Sequence, residues 1–288
     1  MDALLVVFSL LSAVCFALGL VLSRGGLRHM PPVQGAATSV PTTALLFLLA
    51  SPVGLSGAGF DARGAAIFLL SGCLYPAAVT LLNFAATRRI GAEVTGALGN
   101  LTPLFAVLLA WALLGEAPSA GQVLALAVIL AGMALLFGRP GRWKAGSAIA
   151  FALPLAGALV RGMVQPAVKL GLTEWPSPFA AALCAYIASA SVLLTVSRLA
   201  PGRRDWPVPS PRGRLWFMAV GVANGLAVLF LYAALARGPV AVVAPLTACY
   251  PLLTPLLGRW LPGYVAPTRG MLAGILVTVA GVMLLLVS

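Results

Sequence analysis

Arg161, Gln165 and Lys169 stand four residues apart inside an otherwise apolar run. On a helix that spacing projects all three side chains from one face. A charged side chain at the centre of a bilayer costs about 3 kcal/mol, so it normally faces a cavity, pairs within the bundle or snorkels to the surface. An arginine and a glutamine on one face can hold a carboxylate. Equally, Arg161 can bond backbone carbonyls and Lys169 can reach for the boundary.

Other polar residues recur in pairs. Tyr75 and Asn83 lie two helical turns apart, and Asn224 and Tyr232 repeat that spacing in swapped order. Asn100 shortly precedes Pro103, and Tyr250 immediately precedes Pro251. Buried Asn and Tyr groups need hydrogen-bond partners. Neighbouring helices can supply them, and so can a bound molecule in a cavity. A proline inside a span frees a carbonyl and kinks the helix, and irregular backbone at membrane depth commonly lines a cavity. Gly96, Gly99, Pro245 and Pro255 add to that pattern, although small residues also serve close helix packing. The candidate binding residues are therefore Tyr75, Asn83, Asn100, Arg161, Gln165, Asn224, Tyr232 and Tyr250.

The elements that must position them are membrane helices. With 61% hydrophobic and 8% charged residues and a mean hydropathy of +1.05, the chain is no ordinary soluble domain. Ten segments are long and apolar enough to span a bilayer: 3–23, 34–55, 64–87, 92–115, 121–138, 147–170, 178–199, 213–236, 240–261 and 270–287. Turn chemistry separates them, as at Met30-Pro31-Pro32, Gly54 to Gly59, Arg139-Pro140-Gly141 and the polar stretch 201–214. The predicted fold class is all-α and polytopic. The opening Met-Asp lacks a basic leader, so the first segment is expected to stay as a span.

The sequence is also a tandem duplication. Arg63-Gly64, Phe68, Gly72, Ala78, Val79, Leu82, Ala85 and Arg88 return as Arg212-Gly213, Phe217, Gly221, Ala227, Val228, Leu231, Ala234 and Arg237. Gly25 and Pro32 return as Gly171 and Pro178, and Pro103 and Gly115 as Pro251 and Gly263. Residues 1–140 and 141–288 form the two expected repeats, joined into one transmembrane domain. An odd number of helices per repeat forces the second copy to enter from the opposite side. The repeats are then inverted, and exchanging their conformations opens the protein to one side or the other.

The copies differ at the polar face. Cys15, Gly19 and Ser23 occupy the positions of Arg161, Gln165 and Lys169. The fifth and tenth segments carry almost nothing polar. Their small residues, such as Ala127, Ala131, Gly274 and Gly281, suit packing and place these helices outside any site.

The net charge of +12 does not indicate nucleic acid, because the basic residues stand singly or in small groups between apolar runs rather than on a polar face. Most follow odd-numbered segments: Arg24 and Arg28, Arg88 and Arg89, Arg139, Arg142 and Lys144, and the group from Arg198 to Arg214. The positive-inside rule puts those loops in the cytoplasm and both termini outside. Cys15, Cys73, Cys184 and Cys249 lie singly inside spans and read as packing residues, not disulfides or metal ligands. No metal or other cofactor is expected. A membrane enzyme or scramblase would need a His, Asp and Glu cluster, whereas the single histidine, His29, is in a loop. No Asp or Glu falls in the middle of a span. A hard cation would find no counter-charge, and carboxylate-mediated proton antiport lacks its carboxylate.

The stretch Leu101-Thr-Pro-Leu-Phe-Ala-Val-Leu-Leu-Ala-Trp-Ala-Leu-Leu-Gly-Glu116, followed by Ala131-Gly132-Met133, resembles the EamA unit. The second copy offers Pro251-Leu-Leu-Thr-Pro255 and Ala280-Gly281-Val282 but replaces Gly115-Glu116 with Gly263-Tyr264. From about residue 5 to 287 the chain resembles the ten-helix drug/metabolite transporter superfamily, and within it the YddG-like and other amino-acid exporters of bacterial inner membranes. The resemblance implies a monomeric, lipid-embedded exporter of small metabolites, amino acids foremost, with drugs or other metabolites as the alternative cargo. A zwitterion would set its carboxylate on Arg161, Gln165 or a broken-helix N-terminus and its ammonium on carbonyls or tyrosine faces. Glu116, at a helix end, is expected to act in a loop or as a cap rather than on cargo.

Overall fold

In the computed structural model, residues 2–90, 95, 98–137, 148–199, 210–258 and 269–287 are described. Glu93, Gly96, the Arg139-Pro140-Gly141 turn, most of the 201–214 connection and Gly263-Tyr264 lie outside them. Among the described residues, seven helices are long and apolar enough to cross a membrane: Ala3–Gly26, Pro32–Gly54, Ala62–Asn83, Ala148–Glu174, Pro178–Leu199, Pro211–Leu235 and Arg269–Val287. Three shorter apolar helices, Thr102–Leu114, Ala120–Leu135 and Val240–Thr254, complete the ten expected segments. They are called the first to tenth spans in chain order.

Corresponding caps start corresponding helices. Asp61 accepts a hydrogen bond from Gly64 N at 2.7 Å to begin the third span, and Ser210 accepts from Gly213 N at 3.0 Å to begin the eighth. Ser119 and Gln122 form a reciprocal capping box on the fifth span, both bonds 3.1 Å. Gly115, at φ 69°, closes the fourth span in the left-handed conformation that favours glycine.

Packing follows a two-fold pattern. The first span lies along the eighth as the sixth lies along the third, the second lies against the seventh, and the fifth against the tenth. Single residues repeat it. Thr43 Oγ1 on the second span donates to Gly221 O on the eighth at 2.6 Å. Its counterpart, Ser189 Oγ on the seventh span, donates to Gly72 O on the third. A Cβ on Gly221 would strike the Ser39 carbonyl, and one on Gly72 would strike the Ala185 backbone. Gly132 and Gly281 likewise bring the fifth and tenth spans into backbone contact. Lipid and apolar side chains attract one another about equally, so close approach at glycines and interhelical hydrogen bonds carry the association.

Among the described residues, three spans are broken along their length. The third passes through a π-helical turn at Cys73–Ala78, with Tyr75 extended at φ −137° and ψ 131° and a cis bond before Pro76. The fourth has turns at Asn100 and Leu101 before its helix from Thr102. The ninth divides into Val240–Ala248 and Tyr250–Gly258. Pro103 and Pro251 thus stand in the first turn of a new half-helix, where the missing N–H costs nothing. They mark breaks rather than the expected kinks.

Candidate functional site

The breaks converge on one cavity of about 320 Å³, within the range of small-molecule sites. Its rim at Leu27 and Pro32 is exposed and lies at the end carrying the odd-numbered loops. Its deepest polar groups, Gln165, Tyr186 and Tyr232, are buried, at 6%, 2% and 1% exposure. Both repeats contribute to the walls.

Seven of the eight candidate residues line it: Tyr75, Asn100, Arg161, Gln165, Asn224, Tyr232 and Tyr250. Asn83 is absent from the lining and its Oδ1 faces Gly157 on the sixth span instead. The physical reason is the break. A π-helical turn and an extended residue shift the helical register between 75 and 83, so the two no longer share a face. The eighth span runs unbroken from Pro211 to Leu235, and there Asn224 and Tyr232 do share one.

Four buried polar atoms among these residues have no hydrogen-bond partner: Asn100 Nδ2, Arg161 Nε, Gln165 Oε1 and Tyr232 Oη. Leaving each unpaired costs about 1–3 kcal/mol. The Arg161 guanidinium stands 5.6 Å from the Tyr75 ring centroid, a cation–π contact that does not use its N–H groups. Phe16 and Tyr250 add apolar faces, their rings 5.9 Å apart. Gly19 opposite Asn224 leaves room that a Cβ would fill with a clash.

Lys169 departs from the stripe. It forms an ion pair with Glu116 and donates to Gly238 O at 2.7 Å. Glu116 Oε2 accepts from Val240 N at 2.8 Å, capping the ninth span where the helix dipole favours an anion. The hallmark glutamate therefore clamps the ends of the fourth and sixth spans to the start of the ninth. Next to it Arg237 approaches Asp2 at 3.7 Å, an exposed pair of little energetic weight. This latch closes the end of the bundle opposite the cavity mouth.

Sequence reasoning missed Tyr186, Ser39 and Thr43, which also line the cavity. Tyr186 had no polar counterpart in the first repeat, since Val40 occupies that position. A signal was present all the same: every tyrosine among the described residues, Tyr75, Tyr186, Tyr232 and Tyr250, faces the cavity.

Two inverted repeats around a cavity at membrane depth, mouth at one end and latch at the other, define a multi-pass membrane protein with the architecture of a secondary transporter. The pattern of the EamA-like transporter family matches residues 3–138 and again 147–287. The chain belongs to that family and is a membrane transporter of small substrates. Curated proteins give no match. A solved structure described only as "Crystal structure of protein" is similar in fold, with a TM-score of 0.79 and 19% identity over 97% of this chain and 95% of that one.

Proposed function

We propose that this chain exports small metabolites, amino acids foremost and aromatic or other neutral ones among them, across a bacterial inner membrane by alternating access. The carrying observation is the set of four unpartnered polar atoms around one cavity, a cost that a bound polar molecule relieves. Cargo binds among Tyr75, Asn100, Arg161, Gln165, Asn224, Tyr232 and Tyr250, and Asn83 supports the sixth span beside them. With the basic odd-numbered loops in the cytoplasm and both termini outside, the mouth at Leu27 and Pro32 loads from the cytoplasm. The absence of acidic residues from the described lining favours movement down a gradient over carboxylate-coupled proton exchange. The monomer is the working unit, and no chemistry is performed on the cargo.

Purified protein in liposomes tests this with amino-acid counterflow. Gln165→Ala and Tyr232→Ala should cut flux about ten-fold or more, the cost of losing a buried polar contact, while Ala127→Leu and Met283→Leu leave it near wild type. Equal effects across the four would sink the cavity assignment. A C-terminal reporter active only in the cytoplasm would refute the orientation by lighting up.

A further inference from the structure

The charge balance of the cavity selects among small polar cargos. Arg161 is the one charged side chain among the described residues that line it, and no carboxylate there pairs with it. Three unpartnered atoms can donate hydrogen bonds, Asn100 Nδ2, Arg161 Nε and Tyr232 Oη, against one pure acceptor, Gln165 Oε1. The matching position to Arg161 in the first repeat is Cys15, so duplication supplies no compensating group. A guanidinium held at membrane depth without a counter-ion lacks a partner that the cargo can bring.

We infer that the site takes its cargo as an organic carboxylate monoanion with an apolar, ring-sized body, reading the carboxylate and not an amine. This rests on the transporter reading and narrows it. The carboxylate has lone pairs enough for Arg161, Asn100 and Tyr232 together. The apolar body lies among Phe16, Tyr75, Tyr186 and Tyr250. An ammonium finds one unpartnered pure acceptor, Gln165 Oε1, and sits in the field of Arg161, which repels it. The α-amino group of an amino acid is thus tolerated rather than required.

Three probes sharing a phenethyl body separate the possibilities: 3-phenylpropionate as anion, phenylalanine as zwitterion and 2-phenylethylamine as cation. Binding is measured by calorimetry on the full chain in nanodiscs, and flux of the same compounds in liposomes. The anion should bind at least as tightly as phenylalanine and about ten-fold or more tighter than the amine, the discrimination expected for one charge pair. Arg161→Gln should erase that order and Arg161→Lys retain part of it, with folding of both variants checked by monodispersity. Phenylalanine binding with 3-phenylpropionate ten-fold weaker, or no binding of any probe by folded protein, overturns the inference. Binding of the anion without flux of any probe leaves the inference standing and removes the transporter reading instead. Flux of phenylalanine with exclusion of 3-phenylpropionate does the reverse.

Discussion

At the end of the bundle opposite the mouth, Glu116, Lys169 and the start of the ninth span form a charged clamp. By sequence, the corresponding positions are Tyr264, outside the described residues, and Ser23, which lines the cavity. These two residue types cannot form an ion pair. The helix crossings on which both ends depend are nevertheless equivalent, down to matched hydroxyl–glycine hydrogen bonds. The contrast separates two jobs. Under the proposed alternating access, equivalent crossings let the repeats exchange conformations, whereas an ion pair at one end favours the conformation open at the other. The same division holds at the cavity, where Arg161 and Gln165 line the wall and their first-repeat counterparts in sequence are Cys15 and Gly19. In the proposed mechanism, symmetry supplies the motion, and departures from it supply the cargo contacts and the resting state.

The largest effect should come from breaking what the two ends share. Gly72→Val and Gly221→Val drive side chains into the Ala185 backbone and the Ser39 carbonyl. Backbone cannot move aside as a flexible side chain can, so both variants should lose most folded protein, by several kcal/mol on the scale of overpacked cores. Gly99, where an added Cβ would meet only open space, should tolerate Ala without loss of folding. Size-exclusion yield and thermal melts check all three. Collapse of one glycine variant with survival of the other would show that the crossings are not equivalent.

A smaller effect tests what the ends do not share. Glu116→Gln keeps an acceptor for Val240 N but removes the ion pair with Lys169, whose side chains are 20% and 21% exposed. Loss of about 1 kcal/mol from the closed end is expected, given partial screening of the pair. That shifts the balance between the two open states about five-fold. A double-mutant cycle with Lys169→Met, read as counterflow rate, should return a coupling of that size. Additive effects would mean that Glu116 acts only as a cap.

The legible part of this molecule was the part written in repetition and spacing. Hydropathy locates ten spans, and the duplication of a unit with an odd number of helices implies inversion. The spacing of Arg161 and Gln165 put both on the cavity face. Lys169, one turn further, was claimed by Glu116 from a different span, a long-range pairing that periodicity cannot foretell. Asn83 leaves the cavity face because the segment abandons the 3.6-residue period at Tyr75. Tyr186 was invisible to comparison of the repeats because its counterpart is apolar.

The smallest effect lies in the matched hydroxyls, and it sharpens the equivalence of the crossings. Ser189→Ala and Thr43→Val each remove a donor to a glycine carbonyl on the other repeat. Each carbonyl belongs to a helix, so the loss is the net value of one hydrogen bond, about 1 kcal/mol. The two need not be equal. Thr43 Oγ1 also lies 3.1 Å from Ser39 O in its own helix, so its one proton has a second acceptor, and valine keeps its volume. Ser189→Ala should therefore destabilise slightly more than Thr43→Val in a denaturation series. Flux should follow the opposite order, because Thr43 lines the cavity and Ser189 does not. A larger flux loss for Ser189→Ala would mean that the crossing hydrogen bond, rather than the cavity wall, limits the exchange between the two open states.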